Sequence, residues 1–363
     1  MNWVKWTAIA GLFLPPLLPA QDSPEALLLK DYKPVSIYRI PVTEVPKAKF
    51  SVIDLHSHAY PHTDVGIAQW IRNMDGAGVQ KTIILTEMVG PEFDAVYRLF
   101  AKYPDRFEVW CGLLFEGYDR PGYTAAAIRE LERCRNEGAK GVGELHDKGQ
   151  GMAYAHGKKF AVRMHPDDKR LAPVFAKCGE LGMPVSIHVA DPIWMYQKMD
   201  SHNDGLMNAL AWRLDNQPNI VDLPGMVAKL EALANGQPKT TFIACHLANL
   251  DYDLDHLAQV LDRHSNLYAD ISARYAETAA TPRAAAAFYA RYYNRLVYGT
   301  DMGTGSSMYS TTFRILESND EHFYSSQFGY HWYLNGFHLP DSELKAIYHD
   351  NAARILASRT SAR

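Results

Sequence analysis

The chain has 363 residues, 47% of them hydrophobic and 21% charged, which is enough apolar material for a large packed core and excludes an intrinsically disordered protein. Its net charge of −4 is spread along the sequence with no basic stripe, which argues against nucleic acid as a partner.

In chain order, the first segment stands apart. Lys5 precedes an almost wholly apolar run from Thr7 to Ala20, and charge returns at Asp22. This is the pattern of an export signal, and it predicts a secreted or periplasmic protein. The run is about 14 residues long and carries Pro15 and Pro16, whereas a spanning helix needs roughly 20 residues. No stable membrane span is therefore expected once residues 1–20 are removed. Left uncleaved, because Leu18 suits the cleavage site poorly, the segment would be a short anchor. Residues 21–49 read as a lead-in, 50–358 as one catalytic domain and 359–363 as a tail.

Eight short β-rich runs follow, at 51–56, 81–86, 109–114, 140–145, 184–189, 241–246, 266–271 and 295–301. Most precede a stretch with helical periodicity, and several open just after a helix-ending glycine, as at Gly78, Gly138 and Gly182. Repeated strand–helix units of about 30 residues predict an α/β fold, a single-domain (β/α)8 barrel, with a doubly wound sheet as the alternative. Two expansions, 190–240 after the fifth run and 302–338 after the eighth, both leave the strand ends where barrel active sites lie. The first is rich in Trp, Met, Tyr and His, including Trp194, and predicts either a substrate lid or a packed insertion. Cys111, Cys134, Cys178 and Cys245 have no metal-ligand spacing and are expected as free core thiols.

Asp54, His56 and His58 end the first run and, by strand alternation, share one face, which in a barrel points inward. Two imidazoles so placed can converge on an ion about 2.0–2.1 Å from each nitrogen. His188 ends the fifth run, His246 the sixth and Asp301 the eighth. One strand-end histidine would read as an ordinary core or surface residue. Four, with a carboxylate, read as a metal site.

These residues, with DLHSH at 54–58, CHLAN at 245–249, YADIS at 268–272, GTD at 299–301 and the closing stretch around Asn351 to Arg354, resemble the amidohydrolase superfamily. The likeness is to its amidohydrolase-2 branch, which includes aminocarboxymuconate semialdehyde decarboxylase, and it covers residues 50–358. It implies that His56, His58, His188 and Asp301 hold one divalent ion, commonly zinc, with a second ion as the alternative. It also implies that His246 orients or deprotonates a water beside the metal, its alternative being a second metal ligand. A homodimer is implied as well. Three imidazoles and a carboxylate suit zinc on donor chemistry too. Asp301 can combine ligation with proton transfer. Binuclear relatives place a carbamylated lysine at the end of strand four; here Glu144 stands there, able to bridge a second ion. Asp54, deeper on the same face, is expected to orient a ligand histidine.

Arg274 is the candidate for a bidentate grip on a substrate carboxylate. Trp194 and Arg163 are further candidates for contact with a small-molecule substrate. Others near strand ends are His62, His146, His165 and Tyr298, along with the Gly303 to Ser307 turn. Activated water at such a centre favours hydrolysis of an ester, lactone or amide. The alternative reaction is non-oxidative decarboxylation of an unsaturated or aromatic acid, and a non-catalytic binding barrel is a third reading.

Overall fold

The computed structural model describes residues 24–357; the expected export signal and the tail lie outside them. Ten strands follow in chain order: β1 (Val52–Ser57), β2 (Val79–Leu85), β3 (Phe107–Trp110), β4 (Val142–Asp147), β5 (Gly151–Tyr154), β6 (Lys159–Val162), β7 (Val185–Val189), β8 (Phe242–Ala244), β9 (Leu267–Asp270) and β10 (Leu296–Val297). All but β5 and β6 pair in parallel, in the orders β1-β2-β3 and β10-β9-β8-β7-β4. Both seams between these sheets are closed. Cys111 bridges to Val142 beside β3 and β4, while Leu55 N donates to Tyr298 O (2.9 Å) and Thr300 N to His56 O (3.1 Å) across β1 and β10. The result is the expected (β/α)8 barrel, its eight strands falling on the eight runs. The antiparallel hairpin β5–β6 was not anticipated, although Met152 to Tyr154 and Phe160 to Val162 flank the turn at Ala155 to Lys158 that forms it.

Local sequence sets the units. The helix Asp64–Ala77 starts where the Thr63 side chain accepts from Gly66 N and stops at Gly78, whose left-handed conformation (φ 78°) turns the chain directly into β2. Ile53, Ile83, Trp110, Ile243 and Val297, from five different strands, pack on one another together with Ala352 and Ile355. Side chains of non-neighbouring strands can meet only inside the barrel, so the helix Asn351–Ala357 plugs its floor. Asn351 fixes that helix by donating to Tyr293 O (2.6 Å) and Leu296 O (2.7 Å).

Strict alternation fails in β1. Asp54 pairs with Thr82 but Ser57 with Ile84, a slip of one residue. Leu55 joins the interior cluster, and His56, next to it, also turns inward. A β-bulge is the usual way to re-aim a side chain beside an active site. Gly299 makes room for it, since a Cβ there would lie 2.7 Å from His56 Cβ and 3.2 Å from Ser272 Cβ. Gly299→Ala is expected to cost about 1–3 kcal/mol by overpacking, read as a lower midpoint in thermal unfolding. An unchanged midpoint would mean that His56 has room to retreat.

The two expansions touch. Trp194, in the segment after β7, packs against Tyr330 and Trp332, in the segment after β10, with ring centroids 6.3 Å apart in each case. Part of the lead-in is tied down as well, with Thr43 N and Oγ1 donating to Asp320 (2.7 and 2.6 Å). All four cysteines are buried free thiols. Among the described residues no helix is long and apolar enough to cross a membrane.

Candidate metal centre

The chain leaves several strands through residues held in the left-handed region, including Glu87, Ala190 and Asp301 (φ 54–60°), and His246 to Asn249 run there consecutively. Such residues cost roughly 1–2 kcal/mol each and persist only where their surroundings hold them. At His246 the hold is visible: Asn249 Nδ2 donates to Val189 O (3.0 Å) and Ala190 O (3.3 Å), and the His246 N–H donates to Asp270 Oδ1 (2.9 Å).

Three imidazoles are locked with Nε2 facing a common centre. His56 Nδ1 lies 2.9 Å from Asp270 Oδ2, His58 Nδ1 2.8 Å from Leu85 O, and His246 Nδ1 2.9 Å from Ser272 O. An acceptor at each Nδ1 keeps the proton there and leaves the Nε2 lone pair free, the arrangement that ligating histidines need. Glu144 sits among them. Its Oε2 is 3.5 Å from His56 Nε2 and 3.4 Å from His58 Nε2, and its Oε1 is 3.4 Å from His246 Nε2. Asp301 faces the same centre, Oδ1 lying 3.1 Å from His58 Nε2 and 3.9 Å from His56 Nε2, and Oδ2 3.7 Å from His246 Nε2.

A four-coordinate ion with bonds of about 2.1 Å keeps its donor atoms roughly 3.4 Å apart. The spacings among His56, His58, Glu144 and Asp301 bracket that value. His56 Nε2 is buried with no hydrogen-bond partner, so the most enclosed donor of the set has nothing but this centre to face. Close groups of donors are His56, His58 and Glu144; His56, His246 and Asp301; Glu144, His188 and His246; and His56, Cys245 and Asp270.

The electrostatics agree. Burial opposes ionisation of Glu144 and Asp301, yet the surrounding histidines hold both well below the usual carboxylate range. Burial likewise works against a proton on His58, but Asp301 and Glu144 push it up to about 10. The carboxylates thus favour positive charge among the histidines, which a bound cation would supply in place of protons. His246 differs: burial and the neighbouring His188 lower its pKa, favouring a neutral ring.

The expected set is therefore partly regrouped. His56, His58 and Asp301 come together as read from the sequence. His188 stands on the far side of Glu144, its Nδ1 2.8 Å from Glu144 Oε1 and its Nε2 3.2 Å from Asp191 Oδ1, while Glu144 Oε2 lies beside the first two histidines. Asp54 was expected to orient a histidine ring. Instead it accepts from the His56 and Thr300 backbone N–H groups (3.2 and 3.1 Å) and from Thr300 Oγ1 (2.7 Å), clasping the bulge to the end of β10. Burial pushes its carboxyl up to about 7.

Arg274 is buried with its guanidinium engaged by Asn249 Oδ1 (Nε, 3.1 Å), Asp251 (3.5 Å) and Glu277 (3.7 Å). Trp194 is buried in the segment after β7, whereas Arg163 is exposed at the end of the hairpin. Tyr298 lies outside the site, bonded to Thr312 and packed on Phe313 and Tyr348. His165 pairs with Asp147 (2.7 Å).

Asp270 and Ser272 were missed as site residues. Asp270 gathers His56 Nδ1, His246 N, Ser272 N (3.0 Å) and Ser272 Oγ (2.5 Å) on one carboxylate. Its signal in the sequence was a lone carboxylate at the end of the seventh run. Glu87 was missed too; it stands 3.9 Å from His58 Nδ1 and 3.7 Å from His146 Nδ1, and burial raises its carboxyl to about 7.

A barrel with such a cluster at the strand ends defines a class, and the sequence agrees. The amidohydrolase family model matches residues 53–357, and the chain belongs to that family. It is an amidohydrolase-superfamily enzyme. No curated protein is matched by its sequence. Among solved structures, an uncharacterised TIM-barrel protein from Bordetella bronchiseptica is similar at 17% identity, with TM-score 0.53 over 86% of this chain and 100% of that one. A 2,6-dihydroxybenzoate decarboxylase bound to 2,6-dihydroxybenzoate shares 15% identity, with TM-score 0.52 over 85% and 99%. A protein assigned as a 2-pyrone-4,6-dicarboxylic acid hydrolase from Pseudomonas putida shares 13%, with TM-score 0.51 over 85% and 98%. At these identities the likeness is one of fold.

Proposed function

We propose that the chain is a metal-dependent hydrolase of small esters, lactones or amides, with one divalent ion, zinc by donor chemistry, held by His56, His58, Glu144 and Asp301. The observation that carries this is the buried, unpartnered His56 Nε2 facing two carboxylates and a second imidazole. An ion there would polarise a substrate carbonyl and bring the pKa of a water towards about 7. His246 is the general base: with Nδ1–H spent on Ser272 O, its neutral Nε2 takes the proton. Asp301 Oδ2, 3.7 Å away, then stabilises the imidazolium as its ion-pair partner. His188 braces the second oxygen of Glu144. The export-type segment at 1–20 supports action outside the cytoplasm.

A panel of lactones, esters, amides and aromatic acids tests this, with carboxylate formation and CO2 release measured in parallel. The expected result is hydrolysis by the zinc-loaded protein, with His246→Ala retaining the ion and losing roughly 10²–10⁴-fold in kcat. Hydrolysis undiminished in His246→Ala would sink the mechanism. Release of CO2 without hydrolysis would replace the reaction by decarboxylation, the activity named for one protein of the same fold.

A further inference from the structure

A cavity of about 710 Å³ opens beside Arg274, walled by the helices Leu254–Arg263 and Pro282–Tyr292 and by both expanded segments, and no histidine of the metal centre lines it. Two of its lining carboxylates are more than nine-tenths buried and carry an acceptor oxygen without a hydrogen-bond partner: Glu277 Oε2, and Asp251 Oδ1, which meets only a long ion pair with Arg274 Nε (3.5 Å). A buried polar atom left unpaired is costly, and its usual explanation is a partner that binds there.

The chemistry of that partner follows from charge and shape. Asp204, Asp253 and Asp255 add exposed carboxylates to the lining, whose single basic residue, Arg291, faces Asp262 at 3.2 Å. Within the wall, Asp251 and Glu277 share the one guanidinium of Arg274, leaving two buried carboxylates against one cation. Burial accordingly drives the Glu277 carboxyl up to about 7, Arg274 only partly offsetting it. Tyr330 donates to Glu277 Oε1 (2.5 Å), so Oε2 is the oxygen left open. Trp194, Trp332 and Phe288 supply aromatic surface, which attracts cations through its ring faces and shelters an apolar body.

We propose that this cavity is a second binding site, separate from the metal centre, for a small organic cation: a primary ammonium or guanidinium on an apolar or aromatic body. The cationic head pairs with Asp251 Oδ1 and Glu277 Oε2, and the body lies against Trp194, Trp332 and Phe288.

Calorimetric titration of the full chain at pH 7 with benzylamine, benzyl alcohol and benzoate tests the proposal. Benzylamine should bind saturably, about tenfold or more tighter than the uncharged alcohol, and benzoate should not bind. Because metal-centre histidines are absent from the lining, chelator-treated protein should bind benzylamine as before; loss of binding with the metal would show that the amine sits on the ion and would overturn the assignment. Glu277→Gln should weaken benzylamine about tenfold. As that change also strips a partner from buried Arg274, Ala284→Phe is the second variant. It places a ring on an exposed wall position and should abolish binding in a protein whose thermal midpoint is unchanged. Equal affinity for benzylamine and benzyl alcohol, no saturable benzylamine binding, or wild-type binding in Ala284→Phe would each refute the site.

Discussion

Glu144→Gln, purified in the presence of zinc, should contain less than about a tenth of an equivalent of metal, where the wild type holds about one. The carboxylate touches all four histidines, Oε2 facing His56 and His58 and Oε1 facing His188 and His246. The amide keeps the shape and removes the charge, leaving His56 and His58 facing Asp301 with too little negative charge to hold a dication out of water. His188→Ala behaves differently: acting through Glu144, it weakens affinity about 10- to 100-fold, the usual loss for a residue that positions a ligand. Metal analysis after exhaustive dialysis separates the two. Full occupancy in Glu144→Gln would return the fourth ligand position to His188. Two equivalents in the wild type would put a second ion between Glu144, His188 and His246 and remove His246 as a free base.

Most of the scaffold was legible because barrel strands carry a strong local signal. The eight runs are β-rich and most are followed by a helix, and parallel pairing buries both faces of the sheet. The strand-end positions of His56, His58, His246 and Asp301 followed from the same pattern. What escaped depended on contacts between distant strands. Alternation assigned Asp54 and His56 to one inward face, but the bulge in β1 depends on pairing with β2 and on space left by Gly299, neither of which leaves a mark in residues 52–58. The position of Glu144 between His188 and the pair His56 and His58 has the same origin. Glu144 and His188 end neighbouring strands, His146 pairing with His188 in register, and which of the two meets His56 depends on contacts across the barrel. The hairpin at 151–162 was hidden for a more local reason, being two four-residue strands too short for periodicity to register.

Asp270→Asn should damage affinity and fold together, because one carboxylate accepts from His56 Nδ1, His246 N, Ser272 N and Ser272 Oγ. An amide has a single acceptor oxygen. Turned towards His246 and Ser272, it presents an NH2 to the His56 Nδ1–H; turned the other way, it leaves the left-handed turn at His246 without its anchor. In the first orientation His56 relieves the donor–donor clash by moving its proton to Nε2, the nitrogen the ion needs. Zinc affinity, measured by competition with a chromophoric chelator, should therefore fall about 10- to 100-fold. Asp270→Ala, which leaves the buried His246 and Ser272 N–H groups unpaired, should lose roughly 3–5 kcal/mol in denaturant unfolding. Ser272→Ala removes only a hydroxyl already shared among Asp270, His56 and His246, and should cost about 1 kcal/mol while leaving zinc affinity close to wild type. The contrast is diagnostic, since a purely structural Asp270 would shift unfolding in both of its variants and leave the zinc titration of the folded Asp270→Asn protein unmoved. A wild-type zinc affinity in that protein would mean that packing alone holds the His56 ring, and that the carboxylate serves the turn at His246 only.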